Sequence, residues 1–330
     1  MTAKTPAPLS IWAVSDGRSG IEGQVLGLAE AAARLRPAEI AVKRVAWTGW
    51  TGRLPWWAHP FPRATLVRES RLSGPWPDLW IAAGRATLPL SVRAGRWSRG
   101  RSFVVQVQDP RLDPARFDLV IPPRHDGLAG ANVFPITGAP HGVTAERLAE
   151  AGGRFASAID SLPHPRTAVL IGGTSKAFAL PPARAAALAR EIEQSISEAG
   201  GSLMLTFSRR TPDQARALMA ARLKGLPGII WDDQGENPYF AFLAAADHVL
   251  VTEDSTNMAT QAAATGKPVH ILKMDGESAR FRRLHAELEA RGIARPFTGV
   301  LDGWSYPPLA ETERAAAEVL RRYDIRRVGA

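Results

Sequence analysis

Asp247-His-Val-Leu-Val-Thr-Glu-Asp-Ser-Thr-Asn-Met-Ala-Thr-Gln-Ala-Ala-Ala-Thr-Gly-Lys-Pro-Val-His-Ile-Leu272 decides the fold. A short apolar run, His248 to Val251, is bounded by polar residues and predicts a buried strand. Asp254 or Ser255 can cap a helix over Thr256 to Ala264, which Gly266 closes. Pro268 then opens a second apolar run, Val269 to Leu272. Strand, polar turn, helix and strand form one unit of a doubly wound parallel sheet. The turn after such a strand points backbone N–H groups and a helix N-terminus at whatever lies above the sheet. An anionic or polyhydroxyl ligand suits that place.

The same rhythm extends outward in both directions. Thr167 to Ile171, Leu203 to Phe207 and Ile229 to Trp231 predict further strands of the same sheet. A helix from Pro182 to Ala199 carries Leu188, Ile192 and Ile196 at four-residue steps. Five strand ends then bear ligand-type groups: Gly172-Gly173-Thr174-Ser175-Lys176, Ser208-Arg209-Arg210-Thr211, Glu236-Asn237, Asp254-Ser255 and Lys273-Met274-Asp275. Any one of these could be ordinary capping chemistry. In a parallel sheet all five share one edge, and together they predict a site for a nucleotide or phosphate sugar. Two glycines admit a phosphate close to the backbone, and Lys176, Arg209 and Arg210 can neutralise it.

The N-terminal half repeats the pattern. Leu9 to Val14 is a strand ending in Ser15-Asp-Gly-Arg-Ser-Gly-Ile-Glu-Gly-Gln24, and a helix with Ile21, Val25, Leu28, Ala32 and Leu35 on one face follows. Ile40 to Val45, Leu79 to Ala83, Phe103 to Val107 and Leu119 to Ile121 are further strands. Asp16 and the pair His125-Asp126 are the acid–base candidates, because a strand-end His beside an Asp can act as a base near neutral pH. A His that merely bridges loops would look the same. Thr144 caps a helix to about Ile159, and Ser161-Leu-Pro-His-Pro165 marks the boundary between the two series. The expected division is residues 1–160, residues 161–308, and a C-terminal helix in 309–330 packing back across both.

Several classes of chemistry are disfavoured. No G-x-G-x-x-G follows the first strand, and neither a Walker A loop nor a G-x-S-x-G elbow occurs. With no cysteine and seven scattered His, disulfides and thiolate metal sites are excluded, and no metal or other cofactor is expected. No N-terminal apolar run suits a signal peptide or membrane span, so a cytoplasmic location is expected. The net charge of +9 is carried mostly by dispersed Arg without aromatic interleaving, which argues against nucleic-acid binding. Seven of the ten Trp fall between Trp47 and Trp97. They read either as a Pro-rich loop folded on its own aromatic core or as a patch for an anionic membrane face.

These residues carry a resemblance. Ser15-Asp-Gly-Arg18, Ile81-Ala-Ala-Gly-Arg85, Gln108-Asp-Pro-Arg111, Pro123-Arg-His-Asp126, Ile171-Gly-Gly-Thr-Ser-Lys176, Ser208-Arg-Arg-Thr-Pro212, Asn237-Pro-Tyr239, Val251-Thr-Glu-Asp-Ser255 and Thr265-Gly-Lys-Pro-Val269 occur in order along the chain. The sequence resembles bacterial relatives of the plant mitochondrial fission protein ELM1, and more distantly the GT-B glycosyltransferases. The resemblance implies an α/β chain of two Rossmann-like doubly wound domains facing a cleft. Its implied activity is metal-independent transfer from a nucleoside-diphosphate sugar to a lipid- or saccharide-type envelope acceptor. It also implies a donor set of Gly172, Gly173, Thr174, Ser175, Lys176, Ser208, Arg209, Arg210, Asn237, Tyr239, Asp254, Ser255, Thr256 and Gln261. Gln261 stands where that superfamily commonly has a Glu for the ribose, and it offers hydrogen bonds but no carboxylate. A nucleotide-sugar epimerase of the same architecture, or a non-catalytic adaptor at a membrane, would share these features.

Overall fold

The first strand, β1 (Leu9–Ser15), is buried along almost its whole length because parallel neighbours flank it on both sides. The computed structural model describes residues 7–59 and 61–328. After β1 come α1 (Ser19–Leu35), β2 (Ala38–Arg44), β3 (Leu79–Ala83), α2 (Leu88–Trp97), β4 (Phe103–Val107) and β5 (Leu119–Ile121). The chain continues with α3 (Ala145–Ile159), β6 (Arg166–Ile171), β7 (Phe178–Ala179), α4 (Pro182–Glu198), β8 (Ser202–Phe207), α5 (Asp213–Leu223) and β9 (Gly228–Ile230). It closes with α6 (Tyr239–Ala245), β10 (His248–Thr252), α7 (Thr256–Ala263), β11 (Val269–Leu272), β12 (Asp275–Gly276), α8 (Ala279–Ala290), β13 (Ala294–Pro296) and α9 (Glu311–Val328).

Two Rossmann-like units result. The first holds a five-stranded sheet in the order β2-β1-β3-β4-β5, and every pairing is parallel. The second holds six strands in the order β13-β11-β10-β6-β8-β9, again all parallel. A separate antiparallel pair, β7 with β12, ties the turn after β6 to the turn after β11.

The units are residues 1–142 with 310–330, and residues 143–309. Both limits differ from the sequence-based division. Helix α3 precedes the Pro-rich break yet belongs to the second unit, since its Ala151 and Ile159 share a core with Ala241, Phe242 and Leu243 of α6. Arg147 also lies over the Phe240 ring, 4.6 Å from its centroid. Helix α9 belongs to the first unit. Its Ala315, Ala316, Val319, Leu320 and Tyr323 complete the core of the first sheet with Leu28, Ala29 and Phe103. Arg36 holds it with a bidentate pair to Asp324 at 2.6 and 2.8 Å.

The tryptophans divide between the two readings. Trp12, Trp76, Trp80 and Trp97 stack in one aromatic core, with ring centroids 5.5 to 6.5 Å apart. Trp47 donates its indole N–H to the Ala86 carbonyl at 3.1 Å, whereas Trp50 and Trp57 are exposed.

Candidate functional site

The second sheet brings its six carboxyl ends, and with them the five expected turns, to one edge, as a parallel sheet requires. At the centre of that edge, β10, β6 and β8 are joined by one buried carboxylate. Asp254, with its side chain 0% exposed, accepts the Gly173 N–H at 3.1 Å, the Thr252 hydroxyl at 2.7 Å and an Arg210 guanidinium N–H at 2.7 Å. Thr252 in turn accepts the Gly172 N–H at 2.7 Å, and the Thr211 hydroxyl donates to the Gly172 carbonyl at 2.5 Å. A buried charge needs this many partners, because its desolvation is otherwise uncompensated.

The two glycines are required by the packing. A Cβ on Gly172 would lie 1.9 Å from Asp254 Oδ1, and one on Gly173 would lie 1.9 Å from the Arg210 carbonyl oxygen. The first phosphate-type turn therefore rests directly on the second and fourth. Arg210 spends one end of its guanidinium on Asp254 and keeps the side chain 46% exposed.

Most other polar side chains expected here bind their own backbone. Ser175 Oγ accepts from the N–H groups of Ala177 and Phe178, at 3.2 and 3.1 Å. Ser208 Oγ accepts the Arg210 N–H at 3.2 Å. Asn237 Oδ1 accepts the Tyr239 N–H at 2.9 Å, and Ser255 caps α7 by accepting from Met258. Thr256 is the first residue of α7. Tyr239 and Gln261 form a pair, the phenol donating to Gln261 Oε1 at 2.7 Å. Burial raises the Tyr239 hydroxyl above its ordinary pKa, so it remains a donor to Gln261. Asp254 is thus a strut of the edge, not a group that reaches a ligand. Thr174, Ser175, Lys176, Arg209 and Arg210 are the exposed members of the expected set on the first two turns.

Reading the sequence missed Glu253. It is buried, accepts the Met274 N–H at 2.7 Å and meets Lys273 at 3.2 Å, which fixes the turn after β11 against β10. Glu253 and Asp254 are adjacent and both buried, each tying a different neighbour.

In the first unit the acid–base candidates separate. Asp16 sits at the end of β1 and accepts Arg18 Nε at 2.8 Å. His125 and Asp126 are buried, with side-chain exposures of 0% and 3% and 3.9 Å between Nε2 and Oδ1. The segment 132–136 is tied alongside: Arg124 donates its N–H to the Ile136 carbonyl at 2.6 Å, and Phe134 donates to Val120 at 2.8 Å. Of the three acid–base candidates Asp16, at 15%, has the most exposed side chain. Among the described residues no three His, Cys, Asp or Glu side chains are placed to share a metal ion, and no helix is long and apolar enough to cross a membrane.

The family profile described as mitochondrial fission ELM1 matches residues 19–323. The chain belongs to the mitochondrial fission ELM1 family. It is 32% identical over 275 residues to Mitochondrial fission protein ELM1 of Arabidopsis thaliana, an alignment covering 74% of this chain and 64% of that relative. This ELM1-family chain thus spans slightly less than two thirds of the plant protein. An uncharacterized protein of Rickettsia prowazekii is 26% identical, over 93% of this chain and 97% of the relative. Among solved structures, Methanocaldococcus jannaschii UDP-GlcNAc 2-epimerase in complex with UDP-GlcNAc and UDP gives a TM-score of 0.56 at 13% identity, covering 97% of this chain and 100% of that one. The glycotransferase of kitacinnamycin gives 0.51 at 16% identity, covering 98% and 95%. At such identities the likeness is one of fold, and the ELM1-family chain has the Rossmann-like architecture of GT-B glycosyltransferases and epimerases.

Proposed function

We propose that this chain binds a nucleoside-diphosphate sugar at the carboxyl edge of its second sheet and transfers the sugar without a metal ion. The Gly172-Gly173 turn carries the reading. Buried and packed on Asp254 and Arg210, it sets the exposed Thr174, Lys176, Arg209 and half-exposed Arg210 along one rim, where a diphosphate can be met. Lys176, Arg209 and the outer face of Arg210 border that turn and neutralise the charge that grows on a departing diphosphate. The complex of the epimerase fold neighbour with UDP-GlcNAc and UDP supports the ligand class.

In the transfer, the bond from the anomeric carbon to the diphosphate oxygen breaks, the acceptor oxygen bonds to that carbon, and the acceptor proton leaves to a base. The test is thermal denaturation and calorimetry with UDP, ADP, GDP, CDP and dTDP at millimolar concentration. One of them should raise the melting temperature, and none doing so would overturn the reading. Sugar transfer itself is followed as nucleotide release that depends on an acceptor. Release or epimer formation from the donor alone would point to an epimerase, and binding of neither donor nor nucleotide would favour an adaptor role. The exposed indoles of Trp50 and Trp57, with Arg53 and Arg68 nearby in sequence, support contact with an anionic lipid face. Co-sedimentation with phosphatidylglycerol vesicles should fall on replacing both with Ser.

A further inference from the structure

Every strand of the first sheet has an arginine at its carboxyl end or within four residues of it. Arg44 closes β2, Arg18 follows β1, Arg85 follows β3, Arg111 follows β4 and Arg124 follows β5. Because all five strands are parallel, all five arginines lie on one edge. The turns that carry the central ones are in contact. A Cβ on Gly84 would sit 3.9 Å from Asp16 Oδ2, Gln108 Nε2 donates to Gln24 Oε1 at 2.9 Å, and the stem of Arg44 lies against Gly17.

The ion pairs of this edge are arranged one-sidedly. Arg18 pairs with Asp16 at 2.7 Å, Arg44 with Glu22 at 2.7 Å and Arg111 with Asp109 at 3.0 Å. The three carboxylates are 15%, 13% and 11% exposed, while their arginines are 67%, 69% and 75% exposed. Each acid takes one edge of its guanidinium, and the arginine side chain stays exposed. Arg85 is exposed and makes no ion pair among the described residues. The backbone is also held in a sparsely populated conformation here: of the four non-glycine residues described with positive φ, Gln108 (73°) and Arg111 (56°) lie in this one turn.

From this arrangement we propose that the carboxyl edge of the first sheet is a binding site for a ligand carrying more than one phosphate, gripped by Arg18, Arg85 and Arg111. A guanidinium fork matches the geometry of phosphate oxygens. Adjacent strands stand ~4.8 Å apart, so the three central arginines span roughly 10 Å, more than one phosphate and about the reach of two. The site lies wholly in the first unit and stands independently of the reading given to the second.

Isothermal titration with inorganic pyrophosphate at low salt tests it. The double variant Arg85→Gln/Arg111→Gln should lose about tenfold or more in affinity at one class of site, with circular dichroism and melting temperature unchanged. Lys176→Gln should leave that class intact and weaken the other. Unaltered pyrophosphate affinity and stoichiometry in the arginine variant would overturn the proposal while leaving the second-unit site standing. Loss of all binding on Lys176→Gln alone would overturn it equally. Citrate binding as tightly as pyrophosphate would refute the phosphate assignment.

Discussion

The two sheets are both parallel and doubly wound, though with different strand orders, and they finish their edges by opposite means. In the second unit the edge is made of backbone: glycines at 172 and 173 press on neighbouring turns, and a buried aspartate draws three strand ends together. In the first unit the edge is made of side chains, with exposed arginines paired to half-sunken carboxylates. A backbone edge spends its N–H groups on neighbouring turns and tolerates no added atom. An arginine edge offers charge that can adjust to its ligand. The same fold can therefore present one stiff and one adaptable rim, and the difference can be read from what a single methyl group would strike.

Adding that methyl group is the strongest way to sharpen the contrast. Gly173→Ala drives a Cβ into the Arg210 carbonyl and should destabilise the second unit by more than about 3 kcal/mol in denaturant unfolding. Gly23→Ala in α1 of the first unit meets nothing within 4 Å and should stabilise by roughly 0.5–1 kcal/mol. Next, Asp254→Asn removes the charge that Arg210 faces and sets an amide against the Gly173 N–H. A loss of about 2–3 kcal/mol is expected, and a change under ~1 kcal/mol would show that the knot does not hold the edge together.

Acid should weaken both units alike. Burial pushes His141 in the first unit and His270 in the second down to about 4, the latter helped by its neighbour His248. Each folded value lies below the unfolded one, so the unfolded chain takes up more protons between about pH 6.5 and 4. Stability is full above that window and falls through it on acidification, by on the order of 2 kcal/mol for each residue at pH 4.5. Urea titrations across this range, with His141→Asn and His270→Asn, check it: each substitution should flatten the slope.

Smaller effects distinguish charge from scaffold. Lys176→Gln should weaken binding of the preferred nucleoside diphosphate about tenfold, or ~1.4 kcal/mol, with no change in the melting point of the free protein. Asp324→Asn, which breaks a half-exposed pair with Arg36, should cost under ~1 kcal/mol. A larger loss would mean that this ion pair, and not the apolar face of α9, fastens the last helix.

Legibility of the sequence followed the range of the interaction. Strands 79–83, 103–107 and 119–121 have the bounds that their apolar runs imply, and Thr144 caps α3 through Arg147 as its position suggests. Helix α8 gave no stripe, because only Leu284 and Leu288 of its twelve residues are buried, and α2 is obscured by Pro89 in its first turn. The domain limit was misplaced because α3 finds its partner in α6, beyond the Pro-rich break that marks the chain locally. At the candidate site, Gly172 and Gly173 were legible as a close approach, but their partner Asp254 is 81 residues from Gly173. No local pattern reveals that such an aspartate is a strut. The burial of His125 was equally hidden, since no local pattern around it announces an enclosed side chain.

Helix α9 gives the first unit an unusual schedule. Its sheet is synthesised early, yet the helix that completes its core is translated only after the whole of the second unit. The later-made unit can thus finish folding first, while the earlier one waits with Leu28, Ala29 and Phe103 uncovered. Ribosome-bound chains halted before Glu311 should therefore hold a protease-resistant second unit beside a first unit that is still open to cleavage and to chaperones.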